Sequence, residues 1–215
     1  MVEPTGEKRK GCSCAMVVLF VSCSLIAVLV FCIWQFRWLA PTIVEEDFEA
    51  GDTGWLVVGD AQGESDKPTY ETEGGNPGAH MSAVDNAVGG VWYWSAPDSF
   101  MEELAKNWEA NGSARARLSF DLKQSALDKP FEASDVILGA GDFEVHFAHE
   151  DPPGLDWTHF TVPLNADAGW INSSSKEPAT PEEIAKVMDS IDKLWIRGEF
   201  RTGDDTGGID NISIR

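Results

Sequence analysis

From residue 41 to residue 215 there is no cysteine; all four, Cys12, Cys14, Cys23 and Cys32, fall earlier. A domain built from this part folds without disulfides, on core burial and hydrogen bonding alone. Basic residues are also scarce, 16 Lys and Arg against 36 Asp and Glu, for a net charge of −20. The first forty residues contribute +2, from Lys8, Arg9, Lys10 and Arg37 against Glu3 and Glu7, so the remainder carries −22. Such a field repels phosphate backbones and no basic stripe offsets it, which argues against nucleic acid as a partner. It favours calcium, basic partners or a saline exterior. G-x-S-x-G, H-E-x-x-H and phosphate-loop motifs are missing as well. Helical periodicity is sparse, and there is neither an internal repeat nor a low-complexity segment.

What is present begins with AMVVLFVSCSLIAVLVFCIW, Ala15 to Trp34, a run of 20 residues without a charge. As a helix it spans about 30 Å, the hydrocarbon thickness of a bilayer. The basic cluster EKRK precedes it and only Arg37 closely follows, so the positive-inside rule predicts a cytoplasmic N-terminus. Trp34 and Trp38 suit the outer interface, and residues 41–215 are expected to be extracellular or lumenal. The rival is a cleaved signal peptide, giving a secreted product, but the apolar run is longer than such peptides use. Cys12 and Cys14, on the cytoplasmic edge, read either as palmitoylation sites or as ordinary small residues. The expected organisation is a cytoplasmic tail (1–14), a transmembrane helix (15–34), a linker (35–45) and a β-sandwich (46–215).

Period-two alternation fills the soluble part. RARLSFDLK sets Leu118, Phe120 and Leu122 on one face, DFEVHFAH sets Phe143, Val145 and Phe147, and WTHFTVPL sets Phe160, Val162 and Leu164. In LWIRGEFR, Leu194, Ile196 and Phe200 fall together. Short strands with one wet face, separated by Gly, Pro, Asn and Asp clusters, predict an all-β sandwich. VWYWSAP, aromatic on both sides, is expected to cross the centre of a sheet, and VILGAG to form another short strand. One helix is well signalled: Thr180 caps, Pro181 takes the first turn, Glu183 completes a capping box, and Ile184, Val187, Met188 and Ile191 follow helical spacing. A weaker helix is expected over Ser99 to Trp108.

Chemistry concentrates in GDDTGGIDNISIR. If Ile212 and Ile214 face the core, alternation turns Asp210 inward with them, and an inward carboxylate must be paired, protonated or metal-bound. A structural Ca2+ is one partner, with Asp47 and Glu49 reaching it if the first and last strands are neighbours. The other reading has Asp210 capping a turn or accepting backbone N–H groups. Trp195, outward between Leu194 and Ile196, would stand beside Arg197, Glu199 and Arg201 as a sugar-binding platform, or lie flattened under a helix or loop. N-x-S/T sequons at Asn111 and Asn172 are candidate glycosylation sites; that at Asn211 lies inside an expected strand. His146 and His149 are three apart in a strand and point to opposite faces, so they do not jointly hold a metal; His80 and His159 join them only through tertiary folding. Glu144, Glu150, Asp151 and Asp156 offer glycosidase carboxylates, but carboxylates this abundant make any one pair uninformative.

Taken in order, DFEAGDTGW, GGNPGAHMSAVD, WYWSAP, LSFDLKQS, DVILGAG, DWTHFTVPL, the TPEEI helix, LWIRGEFRTG and GGIDNISI resemble laminin B domains, also called laminin IV type A domains. The resemblance covers about Glu46 to Ile214, and its most specific part is RGEFRTG followed by GG-x-DN. It implies a jelly-roll β-sandwich, similar to galactose-binding and carbohydrate-binding modules, acting as a non-catalytic extracellular module on a protein or glycan partner. It also implies a structural calcium between an early Glu and a late Asp, here Glu49 and Asp210. Flanking cysteine-rich repeats are missing and an N-terminal helix supplies the anchor, so assembly into a laminin-like network is not implied. The alternatives are a calcium-dependent carbohydrate-binding module and, further off, a hydrolase.

Overall fold

The computed structural model describes residues 44–59, 67–85, 90–112 and 114–215. The expected tail, membrane helix and most of the linker, with Cys12 and Cys14, lie outside the described residues. Among those described, no helix is long and apolar enough to cross a membrane.

Alternation becomes two antiparallel sheets packed face to face. Sheet one runs β3 (Thr69–Gly75), β4 (Gly78–Asp85), β12 (Asp205–Ile214), β6 (Arg117–Gln124), β9 (Thr158–Pro163), with β1 (Val44–Glu46) also paired to β12. Sheet two runs β10 (Ile171–Asn172), β8 (Phe143–Phe147), β7 (Val136–Ala140), β11 (Lys193–Arg197), β5 (Trp92–Ser95), β2 (Leu56–Gly59). Leu118, Phe120, Leu122, Phe160 and Val162 face inward from sheet one, and Val136, Leu138, Val145, Leu194 and Ile196 from sheet two; together they form one core. VWYWSAP supplies β5, one strand in from an edge, with Trp92 and Trp94 in the core.

Two short helices close the sandwich. α1 (Asp98–Asn111) is longer than the expected Ser99–Trp108; it buries Phe100, Met101 and Leu104, and Trp108 Nε1 donates to the Leu164 carbonyl. α2 (Pro181–Met188) has the expected cap: Glu183 N–H donates to Thr180 Oγ1 at 3.2 Å and Thr180 N–H to Glu183 Oε2 at 2.9 Å. Ile184, Val187 and Met188 form its buried face.

The first and last strands are neighbours, Val44 opposite Ile214 and Glu46 opposite Ile212. Among the described residues this pairing is already present at Val44, two residues before the expected boundary at 46. β12 does not alternate throughout. Asp210 pairs with Asp121 and Ser213 with Ser119, so β12 carries one extra residue, a bulge. Asn211 absorbs it in the left-handed region, φ 49°, which asparagine tolerates better than most side chains. Ile209, Ile212 and Ile214 all reach the core as a result, while Asp210 aligns with Asp121 on the other face of the sheet.

Candidate functional site

Asp210 is nonetheless fully buried, at 0% exposure, because the β3–β4 turn folds over that face. Its Oδ2 accepts the Asn76 N–H at 2.5 Å and its Oδ1 accepts the Asn211 N–H at 2.7 Å. The same two asparagines turn their side-chain amides to Asp121, Asn76 Nδ2 at 2.9 Å and Asn211 Nδ2 at 2.8 Å, both to Oδ2. Asp121 Oδ1 lies 2.6 Å from His159 Nδ1. Two buried carboxylates are therefore bridged by two asparagines, each giving its backbone N–H to one and its side-chain amide to the other. Burial pushes the Asp210 carboxyl up to about 6; the two backbone N–H groups oppose that shift, and the charges of Asp121 and Asp47 add to it. Asp121 and Asn76 escaped the sequence analysis, which met Asn211 only as a sequon. Alternation placed Asp121 on a wet face, and only the tertiary closure of the turn removes that face from water.

The first segment reaches the same turn from the other side. Phe48, with φ 56°, plugs the core and leaves Asp47 and Glu49 exposed beside it. Glu49 Oε1 accepts the Ala79 N–H at 2.8 Å. Gly75 and Gly78, paired in register, are needed for this fit: a Cβ on Gly78 would sit 1.8 Å from Glu49 Oε1, and one on Gly75 2.8 Å from Asp210 Oδ2. Glu49 and Asp210 thus bear on one turn. Asp47 contributes charge near Asp210, but among the described residues no three His, Cys, Asp or Glu side chains converge to chelate a metal. The donors that do meet are carboxylate and main-chain carbonyl oxygens, hard ligands that fit Ca2+ rather than zinc. A cation here would draw on Glu49, Asp210 and carbonyls of the turn, with Asp47 adding field. A cavity of about 320 Å³ beside this seam is lined by Glu45, Asp47, Asp121 and His159 among others.

The expected sugar platform is dismantled by the fold. Arg197, placed on the solvent face by alternation, is 4% exposed. Its guanidinium lies against the rings of Phe131 and Phe200, at 4.7 and 4.4 Å, and donates to Asp135 Oδ1 at 3.1 Å and to the Phe131 and Glu199 carbonyls. The 130s loop folds over that end of β11 and buries the charge with its partner. Arg201 likewise binds Asp128 at 2.9 Å and the carbonyls of Gly203 and Asp204. Trp195 does point outward, but Tyr93 stacks on it at 5.6 Å and Lys193 Nζ lies over its ring at 4.5 Å. Tyr93 sits in the row of Arg197 and Lys193 in the row of Gly139, on either side of the Trp195 row, so the ring is already in contact with two neighbours.

Asn172 is also packed into the fold. It is 7% exposed, its Nδ2 donates to Glu183 Oε1 at 2.6 Å, and its Oδ1 accepts the N–H groups of Ser174 and Ser175. A glycan on Nδ2 would have to displace these contacts. Asn111 ends α1. The histidines stay apart: His146 binds Glu144 and Ser134, His149 faces Asp135 at 3.5 Å, His159 binds Asp121, and His80 stands edge-on to Trp157.

Against known proteins, the family model described as Laminin B (Domain IV) matches residues 93–215. Among solved structures, the L4b domain of human laminin alpha-2 aligns with a TM-score of 0.58 at 13% identity, over 81% of this chain and 97% of that one. A family 11 carbohydrate-binding module of a Clostridium thermocellum cellulosomal cellulase aligns at 0.49 and 18% identity, over 81% and 95%. At 13% identity the laminin alpha-2 alignment concerns the fold alone.

Proposed function

The chain belongs to the laminin B (domain IV) family, and we propose on that footing that it is a non-catalytic binding module of jelly-roll type. It is displayed outside the cytoplasm, anchored by Ala15 to Trp34, and recognises another protein. What supports this reading is how the chemistry-bearing side chains are used. Arg197, Arg201, His146 and His159 are each engaged in holding strands and loops together, which leaves surface complementarity as the working principle. A glycan partner is the weaker fit, since the Trp195 ring already carries contacts from Tyr93 and Lys193.

Calcium is proposed as the structural ion of the seam. The observation that carries it is Asp210, fully buried next to Asp121 and Asp47, so that negative charge accumulates where water is excluded. Bound between Glu49 and Asp210, the ion supplies countercharge and ties the β1–β2 segment to the last strand through the β3–β4 turn. By linkage, a ligand held only by the folded state raises the melting temperature. The full chain should melt higher with calcium than with chelator, and Asp210→Ala should erase the difference. An unchanged melting temperature in the wild type would remove the ion from the proposal.

A further inference from the structure

On β8, Val145 is buried in the core, so its neighbours Glu144 and His146 leave the other face of the strand side by side. The loop before β7 brings Ser134 to the same imidazole. His146 Nδ1 lies 3.0 Å from Ser134 Oγ, and its Nε2 lies 3.1 Å from Glu144 Oε2. Charge fixes the direction of both bonds. Burial raises the Glu144 carboxyl, but hydrogen bonds from Lys193 and His146 outweigh it and hold the group below its usual range. An ionised carboxylate only accepts, so Nε2 carries the hydrogen. In the neutral imidazole Nδ1 then holds the lone pair, and the Ser134 hydroxyl donates to it. A hydroxyl held against a base that a third group orients is the arrangement of an activated nucleophile.

Ser134 and His146 line a cavity of about 230 Å³ together with Phe147, Ala148, Ile171 and Lys176. The apolar lining suits a short acyl chain, and the Lys176 ammonium favours a carbonyl oxygen that gains charge. Turnover needs more. In α/β-hydrolases the N–H after the nucleophile helps to receive the oxyanion. Here the Asp135 N–H is spent on the Phe147 carbonyl at 2.7 Å, and the N–H of Ser173, which also lines the cavity, on the Glu144 carbonyl at 3.0 Å. One missing oxyanion donor costs about 10²–10³ in rate, so an activated ester is required and the acyl group leaves slowly. We propose that Ser134 is an acyl acceptor for activated esters of short-chain acids, with His146 as its base and Glu144 as a positioning residue. Ser134 Oγ bonds to the carbonyl carbon, its proton passes to His146 Nδ1, and the ester C–O bond breaks as that proton moves to the departing oxygen. The inference goes beyond the binding reading: it adds covalent capture to a module that remains non-catalytic.

The probe is p-nitrophenyl acetate, added to the full chain in detergent, with released nitrophenolate read by absorbance and the acetyl group located by peptide mass spectrometry. One equivalent should be released in a burst that leaves acetyl on Ser134, and Ser134→Ala should lose both. His146→Ala should slow the burst about 100-fold, the lower range for a general base, and free imidazole should restore part of the rate. Glu144→Gln should slow it about tenfold or more and move its pH profile to lower pH, because the imidazolium loses its carboxylate. A residue that only propped the loop would leave that profile in place. Melting temperatures check that each variant is folded. No acetyl on Ser134 in the wild type, acetyl on lysines alone, or a burst that His146→Ala leaves unchanged would overturn the proposal. Turnover beyond one equivalent that vanishes with Ser134→Ala would uphold the nucleophile and sink the non-catalytic reading instead.

Discussion

Asp210 is a residue whose position follows from a bulge and whose charge state follows from burial. Its folded carboxyl lies near 6 against an ordinary 3.8, so the fold favours the protonated form. Without calcium, the cost of ionising it inside the domain begins as pH rises through the ordinary value and is complete above about 6. In chelator, wild type should therefore lose stability relative to Asp210→Asn between about pH 4 and 6, as read by urea midpoints, and calcium should close the gap at pH 7. A difference that is flat across this range would show that burial is relieved some other way. Asp210 was found in the sequence by an alternation argument that the bulge at Asn211 invalidates. Its burial is real, but the cover is the β3–β4 turn, which no local pattern around residue 210 announces.

At the scale of elements, α2 was legible because a capping box is a local device. Thr180, Pro181 and Glu183 are three residues apart at most and need nothing from the rest of the chain. The structure adds a tertiary partner: Asn172 of β10 donates to Glu183 Oε1, and the Thr180 N–H together with this bond holds the half-buried Glu183 carboxyl below its usual range. Thr180→Ala should cost about 1 kcal/mol, measured by equilibrium unfolding. Peptide mass spectrometry of the mature protein should find Asn172 unmodified; a glycan there would mean that β10 does not dock on the cap. The strands were legible for the same local reason, period two. β11 shows where that stops. Alternation correctly sent Trp195 and Arg197 to the same face, yet one stands between two side chains and the other is buried, because a loop from residues 130–135 covers one end of the strand.

For the whole molecule, the two sheets are held at their spacing by a tryptophan that meets backbone from two strand regions. A Cβ on Gly198 would fall 1.8 Å from Trp92 Cζ3, and one on Gly207 2.9 Å from Cη2. Neither contact yields to a rotamer change, since the ring is 1% exposed and packs edge-on against Trp94. Gly198→Ala should cost more than about 3 kcal/mol, the upper range for overpacking a core, and show as a collapsed urea midpoint or loss of folded product. A mild effect would mean that the sheets slide apart more easily than interdigitated packing allows.

By itself the sequence determined the all-β class, the capped helix, the inward faces of the long strands, the acidic character and the absence of disulfides from the soluble part. Each depends on residue type and on spacing within a few positions, which the backbone geometry of helix and strand converts directly into faces. Only the tertiary structure decided which outward residues stay in water. Asp121, Asp210 and Arg197 lost their solvent when turns and loops distant in sequence closed over them.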